Sequence, residues 1–465
     1  MQRILIKNLK ENVGKEVSIA GWVDNRRDHG KLIFIDLRDT SGKVQMVALP
    51  NHKEAHETAG ALRSEWVISA CGMVNKRPEK MVNKDEENGE IEIEIFGIEV
   101  LNKSETPPFE ITETKNINED VRLEYRYLDL RTERMQRNIR KRHQSVKFIR
   151  DYLDKEGFAE IETPILTKST PEGARDFIVP SRLEKGHFYA LPQSPQQYKQ
   201  LLMVAGFEKY FQMAKCMRDE DTRGDRQPEF TQLDLEMSFV EREDVMALNE
   251  ALLIELVKEV WPEKRIQSIP FPRISYKEAI EKYGVDNPDL RENKEDPNLL
   301  AFCWVIDFPF FSSEDGKKWT FTHNPFSMPK SEDLPKLMEK KDLGDILTTQ
   351  YDIALNGFEI GGGSIRAHKP EILEKVFEIM GHKKEDIKNN FGHMLTALSY
   401  GAPPHGGIAW GLDRLIAILR NEPNIREVIA FAKTGEGRDL MMQAPSEIDK
   451  KQLDELGIKI VKGKE

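Results

Sequence analysis

Between Phe230 and Phe239 the chain alternates with a period of two: Thr231, Leu233 and Leu235 point one way, Gln232, Asp234 and Glu236 the other. That period specifies a strand. A strand-like run, Tyr210 to Cys216, precedes it. The connecting loop holds three arginines (Arg218, Arg223, Arg226) and five acids (Asp219, Glu220, Asp221, Asp225, Glu229). A charged hairpin loop alone reads as a solvated turn. The strand constrains more, because a row holding Asp234 and Glu236 that faces inward needs a polar ligand or partner. Arginines at its mouth suit phosphate, whose oxygens a guanidinium meets bidentately, and Phe230 is placed to stack on a base. These residues predict a nucleotide site.

A chain of 465 residues has room for two or three domains. It is 39% hydrophobic and 32% charged, which predicts soluble domains with sizeable cores, and no apolar run reaches the length of a membrane span. The start, Met1 to Lys7, has no signal-peptide core. Cys71, Cys216 and Cys303 are widely spaced and form no Cys-x-x-Cys pair. That predicts neither disulfides nor a zinc site, and a reducing, cytoplasmic setting. A net charge of -11 argues against a general nucleic-acid coat while leaving room for one shaped surface.

Residues 1–105 read as a small β domain. Strands are expected over 17–23, 31–39, 43–49, 66–74 and 90–101, with a helix over 52–62 between the third and fourth, the order of an OB-fold. Such barrels bind single-stranded nucleic acid on strands 2 and 3. Arg26, Arg27, Phe34 and Gln45 fall on or beside that face. Phe34 has two readings, a core aromatic or a stacking platform. Residues 79–89 read as a solvated loop and Thr106 to Phe109 as a linker. A basic run follows: Arg122, Arg126, Arg131, Arg134, Arg137, Arg140, Lys141, Arg142, Lys147 and Arg150. From Met135 it is helical, with Ile139, Val146, Ile149 and Leu153 towards a core. Its basic side is either solvated or laid along a nucleic-acid backbone.

Leu191 to Lys199 opens a helix in which Ser194 suits the cap and Pro195 the first helical position. That leaves Gln196 and Lys199, three apart on one face, without a structural reason. Glu243 to Trp261 reads as a core helix. Asp352 and Glu359 are acids on a strand pair expected to be buried. The run Gly361 to Gly363 is either a bulge or a place where backbone approaches a ligand, and Arg366 just beyond it is the stronger signal. Gly401 to Arg414 is a glycine-rich strand entering a helix, with Arg414 in its first turn, where anions are favoured.

Taken together, Arg218 to Glu236 resembles motif 2 of the class II aminoacyl-tRNA synthetases, in detail the bacterial aspartyl type. Gly157 to Pro164 resembles motif 1, which builds the class II dimer interface, and Gly401 to Arg414 matches motif 3. Gly21-Trp22-Val23, Arg26-Arg27-Asp28 and Leu32 to Asp39 resemble the family's anticodon-binding barrel. The resemblance spans essentially the whole chain apart from an inserted domain that typical bacterial members carry near 290–300 and that is missing here. It implies an α+β protein: an OB barrel (1–105), a hinge (106–135), and a catalytic domain (136–465) of antiparallel sheet flanked by helices.

The implied activity is ligation of L-aspartate to tRNA(Asp), through aspartyl-adenylate, using ATP and Mg²⁺ and no zinc, by a cytoplasmic homodimer. Carried over residue by residue, Arg218 and Arg414 are catalytic, bridging the α-phosphate and holding the γ-phosphate. Asp219, Glu220, Gln227, Phe230, Glu359, Gly411, Leu412 and Asp413 complete the ATP site, and Asp352 and Glu359 hold Mg²⁺. Glu172, Gln196, Lys199, Arg218, Asp234, His323 and Arg366 bind aspartate. Lys199 and Arg366 meet its side-chain carboxylate, and asparagine would leave these two cations unpaired. Asn324 stands where many members have a second histidine. Arg27, Phe34 and Gln45 contact the anticodon. His29 matches members that also charge tRNA(Asn), Lys80 does not, and tRNA(Asp) alone is the expectation. A paralogue that needs no tRNA should lack the barrel. An RNA-binding relic should be damaged at Arg218, Glu359, Arg366 or Arg414, all of which are intact.

Overall fold

The computed structural model describes residues 2–112, 114, 116–169, 173–313 and 318–461. The chain forms two compact units, Met1–Lys115 and Asn116–Glu465.

In the first unit β1 (Glu16–Asp28), β2 (Ile33–Asp39), β3 (Gly42–Ala48), β4 (Val67–Lys76) and β5 (Ile91–Asn102) close a barrel in the order β1-β2-β3-β5-β4, with α1 (Lys53–Ala61) between β3 and β4. The alternation of β2 sets its faces. Ile33, Ile35 and Leu37 enter the barrel core with Val17, Ile19, Val44, Met46 and Ile93. Phe34, Asp36 and Arg38 therefore lie on the outside, so Phe34 is not a core aromatic. Register brings Arg27 opposite Phe34 and Asp36 opposite Gln45. Gly21 packs under β2, where a Cβ would lie 2.2 Å from the Arg38 carbonyl oxygen.

The second unit is built on an eight-stranded sheet. Its strands are β6 (Ala159–Glu160), β7 (Lys209–Met217), β8 (Glu229–Ser238), β9 (Arg273–Ser275), β10 (Phe302–Ile306), β11 (Tyr351–Leu355), β12 (Phe358–Ile365) and β13 (His405–Gly411), in the order β9-β10-β11-β12-β13-β8-β7-β6. Neighbours are antiparallel except for the two outermost pairs, β9–β10 and β6–β7, which are parallel. Helices α2 (Glu119–Glu124), α3 (Glu133–Lys155), α4 (Gln196–Val204), α5 (Arg242–Val260) and α6 (Leu412–Leu419) surround it. Ile149 and Leu153 of α3, Leu252, Leu253 and Leu256 of α5, and Leu415 and Ile416 of α6 share one core with Leu233, Leu235, Trp304 and Trp410. The helices thus cover the apolar face of the sheet and leave Gln232, Asp234 and Glu236 on the opposite face. Caps fix the two long helices. Thr132 Oγ1 accepts from Met135 N (3.2 Å), and Glu241 and Asp244 form a capping box, each worth about 1 kcal/mol.

The basic run follows neither of its two expected readings at four positions. Arg122 pairs with Asp129 and Glu427 (2.6 Å at the closest), and Arg126 with Asp129 and the carbonyls of Arg426, Ile429 and Ala430. Arg134 binds Glu422 and Arg142 binds Asp413. These are internal ties within the second unit, and buried guanidinium groups require such partners. Arg137, Arg140, Lys147 and Arg150 are the exposed, solvated members. Part of the stretch expected as hinge, α2 included, therefore packs inside this unit. No helix among the described residues is long and apolar enough to cross a membrane.

Candidate active site

The sheet's polar face forms a trough. Reading across the strands, Asp234 lies opposite Ala409, Ala409 opposite Gly362, and Gly362 opposite Asp352. Small residues thus floor the space between two buried acids. At Gly362 a Cβ would stand 2.7 Å from Asp352 Oδ1.

At the loop end the trough opens into a cavity. Arg218, Glu220, Asp225, Gln227, Phe230, Gln232, Glu359, Gly411, Asp413 and Arg414 line it. Arg218 lies over the Phe230 ring, its guanidinium carbon 5.1 Å from the ring centre. Gln227 is buried; its Oε1 accepts from Lys433 N (2.9 Å), and its Nε2 has no partner among the described residues. Arg414 donates to the Glu359 carbonyl and to Asp225 Oδ2 (2.9 Å), while its buried Nε is likewise unpartnered. The loop is held from the C-terminal side: Thr222 Oγ1 donates to Gly435 O, Ile425 N to Gly224 O (3.1 Å), and Lys433 Nζ to Glu229 (2.5 Å). Two residues expected here sit elsewhere, and a third, Asp413, lines the cavity while serving the fold as well. Asp219 lies outside the lining and faces Arg175, whose carbonyl accepts its N–H at 2.9 Å. Leu412 is wholly buried in the core. Asp413 is a structural tie, accepting from Thr231 N (2.8 Å) and Arg142.

At the deep end four buried charges alternate. Lys199 Nζ reaches Asp234 Oδ1 (2.7 Å) and Glu236 Oε2 (3.2 Å). Arg366 clasps Glu236 with Nε at 2.8 Å and Nη2 at 3.1 Å, and also donates to Ser364 Oγ. The expectation that Lys199 and Arg366 stand free for a substrate carboxylate is therefore corrected: Asp234 and Glu236 already neutralise them. Burial pushes the Glu236 carboxyl up, but the Arg366 and Lys199 charges override it and bring it to about 2. Burial raises Asp234 despite Lys199. Asp234 Oδ2 has no hydrogen-bond partner among the described residues, the nearby Tyr210 hydroxyl donating to Gln212 Oε1 instead (3.0 Å). Gly407 is obligatory: a Cβ there would meet Glu236 Oε2 at 2.2 Å. The helix bearing Lys199 begins one residue later than expected, with Pro195 at its N-cap and Ser194 Oγ accepting from Gln196 N (3.3 Å). Glu172 lies outside the described residues.

Of the two acids expected as a buried pair, Asp352 is buried and Glu359 is exposed, being one residue from the turn that joins β11 to β12. Burial, and then the Glu359 charge, hold the Asp352 carboxyl well above the usual carboxylate range. Gln350 Nε2 donates to Asp352 at 2.6 Å, and His323 Nδ1 lies 3.6 Å away. Burial keeps His323 below the ordinary imidazole value. A buried carboxyl with a second acid beside it, a neutral imidazole and no paired cation among the described residues fits a hard divalent ion, which prefers such oxygen donors.

On the barrel, Arg27 Nη2 donates to Asp36 (3.0 Å) and Gln45 (3.1 Å), and His29 meets Phe34 edge-on at 5.7 Å. Arg26 is committed to the Gly60 carbonyl at the end of α1 (2.6 Å). Lys80 is exposed in the β4–β5 connection. Glu236, Gln200, Gln350, His405 and Lys433 were given no role from the sequence. Only Glu236 carried a signal, as the last polar residue of the alternation.

A family model for class II tRNA synthetases (D, K and N) matches residues 118–435, and one for an OB-fold nucleic acid binding domain matches 17–101. The aspartate–tRNA ligase of Staphylococcus aureus is 41% identical, with 96% of this chain and 97% of that protein covered. The aspartate–tRNA(Asp/Asn) ligase of Natranaerobius thermophilus is also 41% identical, with 97% and 98% covered. The Staphylococcus alignment spans 576 positions, more than the 465 residues of this chain, so that relative holds segments absent here. Among solved structures, a putative aspartyl-tRNA synthetase of Leishmania major superposes with TM-score 0.76 at 20% identity, covering 93% of this chain and 94% of that one. Asparaginyl-tRNA synthetase of Pyrococcus horikoshii, complexed with asparaginyl-adenylate, gives 0.74 at 24%, covering 93% and 98%. At such identities these two establish shared fold.

Proposed function

The chain belongs to the class II tRNA synthetases, within them to the aspartate–tRNA ligases, and from that membership we propose how its residues divide the work. Aspartate's α-carboxylate attacks the α-phosphorus of ATP, giving aspartyl-adenylate and pyrophosphate. The 3′-terminal hydroxyl of tRNA then attacks the aspartyl carbonyl, an ester forms as the bond to AMP breaks, and AMP and the hydroxyl proton leave. The first step demands positioning and charge stabilisation more than proton transfer. Arg218, backed among the described residues by Phe230 alone, bridges the α-phosphate and the attacking carboxylate. Arg414 receives the γ-phosphate, Gln227 and Glu220 the adenosine, and Phe230 the adenine face. Asp352 and Glu359 would hold Mg²⁺, which neutralises charge on the phosphate oxygens when bound.

The observation that carries the reading is the Lys199–Glu236–Arg366 junction beside the arginine-lined cavity. Both cations offer donors only. A carboxylate accepts from them, whereas the amide of asparagine turns N–H groups against N–H groups. Discrimination thus rests on donor polarity rather than on orphaned charge, and sites of that kind reject a wrong partner by about 10⁴. Asp234, through its unpartnered oxygen, and Glu172 attract the ammonium, with His323 beside the substrate.

On the barrel, Phe34 stacks on an anticodon base while Arg27 and Gln45 read its neighbours. We assign tRNA(Asp) as the partner. A second reading, charging of tRNA(Asn) as well, is supported by His29 against Phe34 and by the Asp/Asn ligase among the relatives. The exposed Ile165 and Leu166 that follow motif 1 suit a homodimer, and a cytoplasmic setting accords with the chemistry.

The test is labelled-aspartate charging of tRNA(Asp) and tRNA(Asn) transcripts side by side, with ATP–pyrophosphate exchange on aspartate and asparagine. Exchange with aspartate and charging of tRNA(Asp) are expected. Equal charging of both tRNAs establishes the second reading. Exchange driven equally by asparagine removes the donor-polarity argument.

A further inference from the structure

His405, the first residue of β13, is wholly buried and touches no part of the nucleotide cavity. Its ring nevertheless ends a line of side chains that leads to the amino-acid end of the trough. Nδ1 lies 2.7 Å from the carbonyl oxygen of Pro403. A carbonyl oxygen only accepts, so Nδ1 carries the proton. In the neutral ring Nε2 is then an acceptor, and burial, the strongest influence on this imidazole, favours the neutral form. Nε2 lies 3.2 Å from Gln200 Nε2, so Gln200 turns its NH₂ to the ring. That leaves Gln200 Oε1 facing the other way, where it accepts from Gln196 Nε2 at 3.0 Å. Each amide is thereby oriented by the one behind it. At the end of the line, Gln196 gives one N–H to Gln200, and its Oε1 accepts no hydrogen bond among the described residues.

We propose that His405 is a positioning residue for the amino acid: through Gln200 it fixes the side-chain amide of Gln196 so that carbonyl oxygen, not NH₂, faces the substrate. The inference rests on the reading of Gln196 as part of the aspartate pocket. An acceptor there suits an ammonium group and opposes a carboxylate, so the relay helps to orient aspartate with its amino end towards Gln196 and Asp234 and its side chain towards Lys199 and Arg366. With the relay cut, the Gln196 amide is free to turn over and present a donor to the ammonium. The nearby charges, Glu236 and Arg366, are paired with each other and leave the direction of the amides to the histidine.

The experiment is a double-mutant cycle read by ATP–pyrophosphate exchange. His405→Asn keeps a donor near Pro403 but ends the relay. It is expected to raise KM for aspartate about tenfold, the worth of one hydrogen bond to a charged group, with KM for ATP unchanged. Placed on Gln196→Ala, it should add nothing further, because the group it orients is gone. Additive effects, or a rise in both KM values, overturn the proposal. A measurement on the unsubstituted protein guards against variants that fail to fold. Long-range ¹H–¹⁵N spectra of histidine-labelled protein should place the His405 proton on Nδ1, and a proton on Nε2 overturns the relay. Absence of aspartate-dependent exchange in the unsubstituted protein would remove the ligase reading itself, whereas normal exchange with additive variants removes the relay alone.

Discussion

The two ends of the trough are built on opposite principles. At the nucleotide end polar groups are left wanting: Arg218 has only an aromatic ring beneath it, and Gln227 Nε2 and Arg414 Nε have no partner among the described residues. At the amino-acid end Lys199, Asp234, Glu236 and Arg366 are buried and already neutralise one another. On the proposed reading, the contrast follows from what each end receives. A triphosphate brings several charges and its own counter-ion, so open donors at a solvent-facing mouth serve it. Aspartate brings a single side-chain charge into a closed space, where unpaired cations would be costly to keep before it arrives. One end stores binding capacity as unsatisfied groups, the other as geometry.

The comparison breaks first at Arg218. Arg218→Ala should lower the rate of aspartate-dependent exchange by about 10³, the usual loss when a donor to developing charge is removed. Its melting temperature should stay where it was, because the side chain has no hydrogen bond or ion pair to lose among the described residues. A drop in both would mean that the nucleotide end is as self-supporting as the other.

Glu236→Gln tests the opposite end. It strips Lys199 and Arg366 of a shared counter-charge and should cost about 3 kcal/mol in urea unfolding, together with most of the activity. Loss of activity at full stability would show that the network serves the substrate alone. Acid sharpens the same point. Glu236 sits at about 2 in the folded protein against an ordinary 4.5. A carboxyl lowered on folding contributes stability that is fully present above the higher value and lost as pH falls towards the lower one. The stability gap between the unsubstituted protein and Glu236→Gln should therefore be widest above pH 4.5 and close towards pH 2. Asp234, raised on folding partly by the Glu236 charge, acts with the reverse sign, and its contribution shrinks in Glu236→Gln.

The smallest effect is expected at Lys433. Lys433→Met keeps the backbone N–H that holds Gln227 but loses the ion pair to Glu229. It should raise KM for ATP by about threefold, as expected for a partly exposed pair, and leave KM for aspartate alone. A change in the aspartate value would couple the two ends.

Much of this was legible in the chain itself. The alternation from Thr231 to Glu236 gave both the strand and its polar side. Motifs 2 and 3 pointed to Arg218 and Arg414, and the resemblance outside the motifs pointed to Lys199 and Arg366. Period two marks polarity, however, and says nothing of exposure: Thr231 to Ser238 are all buried, because helices cover one face and the network fills the other. Glu359 shows the same limit from the other side, since an acid on a central strand is exposed when the strand turns beside it. The basic run misled for a different reason. Arg122 and Arg134 find their partners at Glu427 and Glu422, some three hundred residues away, a separation no local pattern reports. Gln200 and His405 were invisible because their role lies in the direction of a hydrogen bond, which residue type alone does not set.

The ties that hold the nucleotide loop also impose an order in time. Gln227 is fixed by Lys433, and Thr222 by Gly435, partners that the ribosome adds 206 and 213 positions later. Synthesis runs from the N-terminus, so a nascent chain completes its barrel and both strands of the hairpin long before those partners exist. Until they emerge the mouth of the cavity has no frame. On the proposed assignment, the anticodon face is complete in a half-made chain while the place for ATP is not, so the part that meets tRNA is finished earlier in the life of the molecule than the part that consumes fuel.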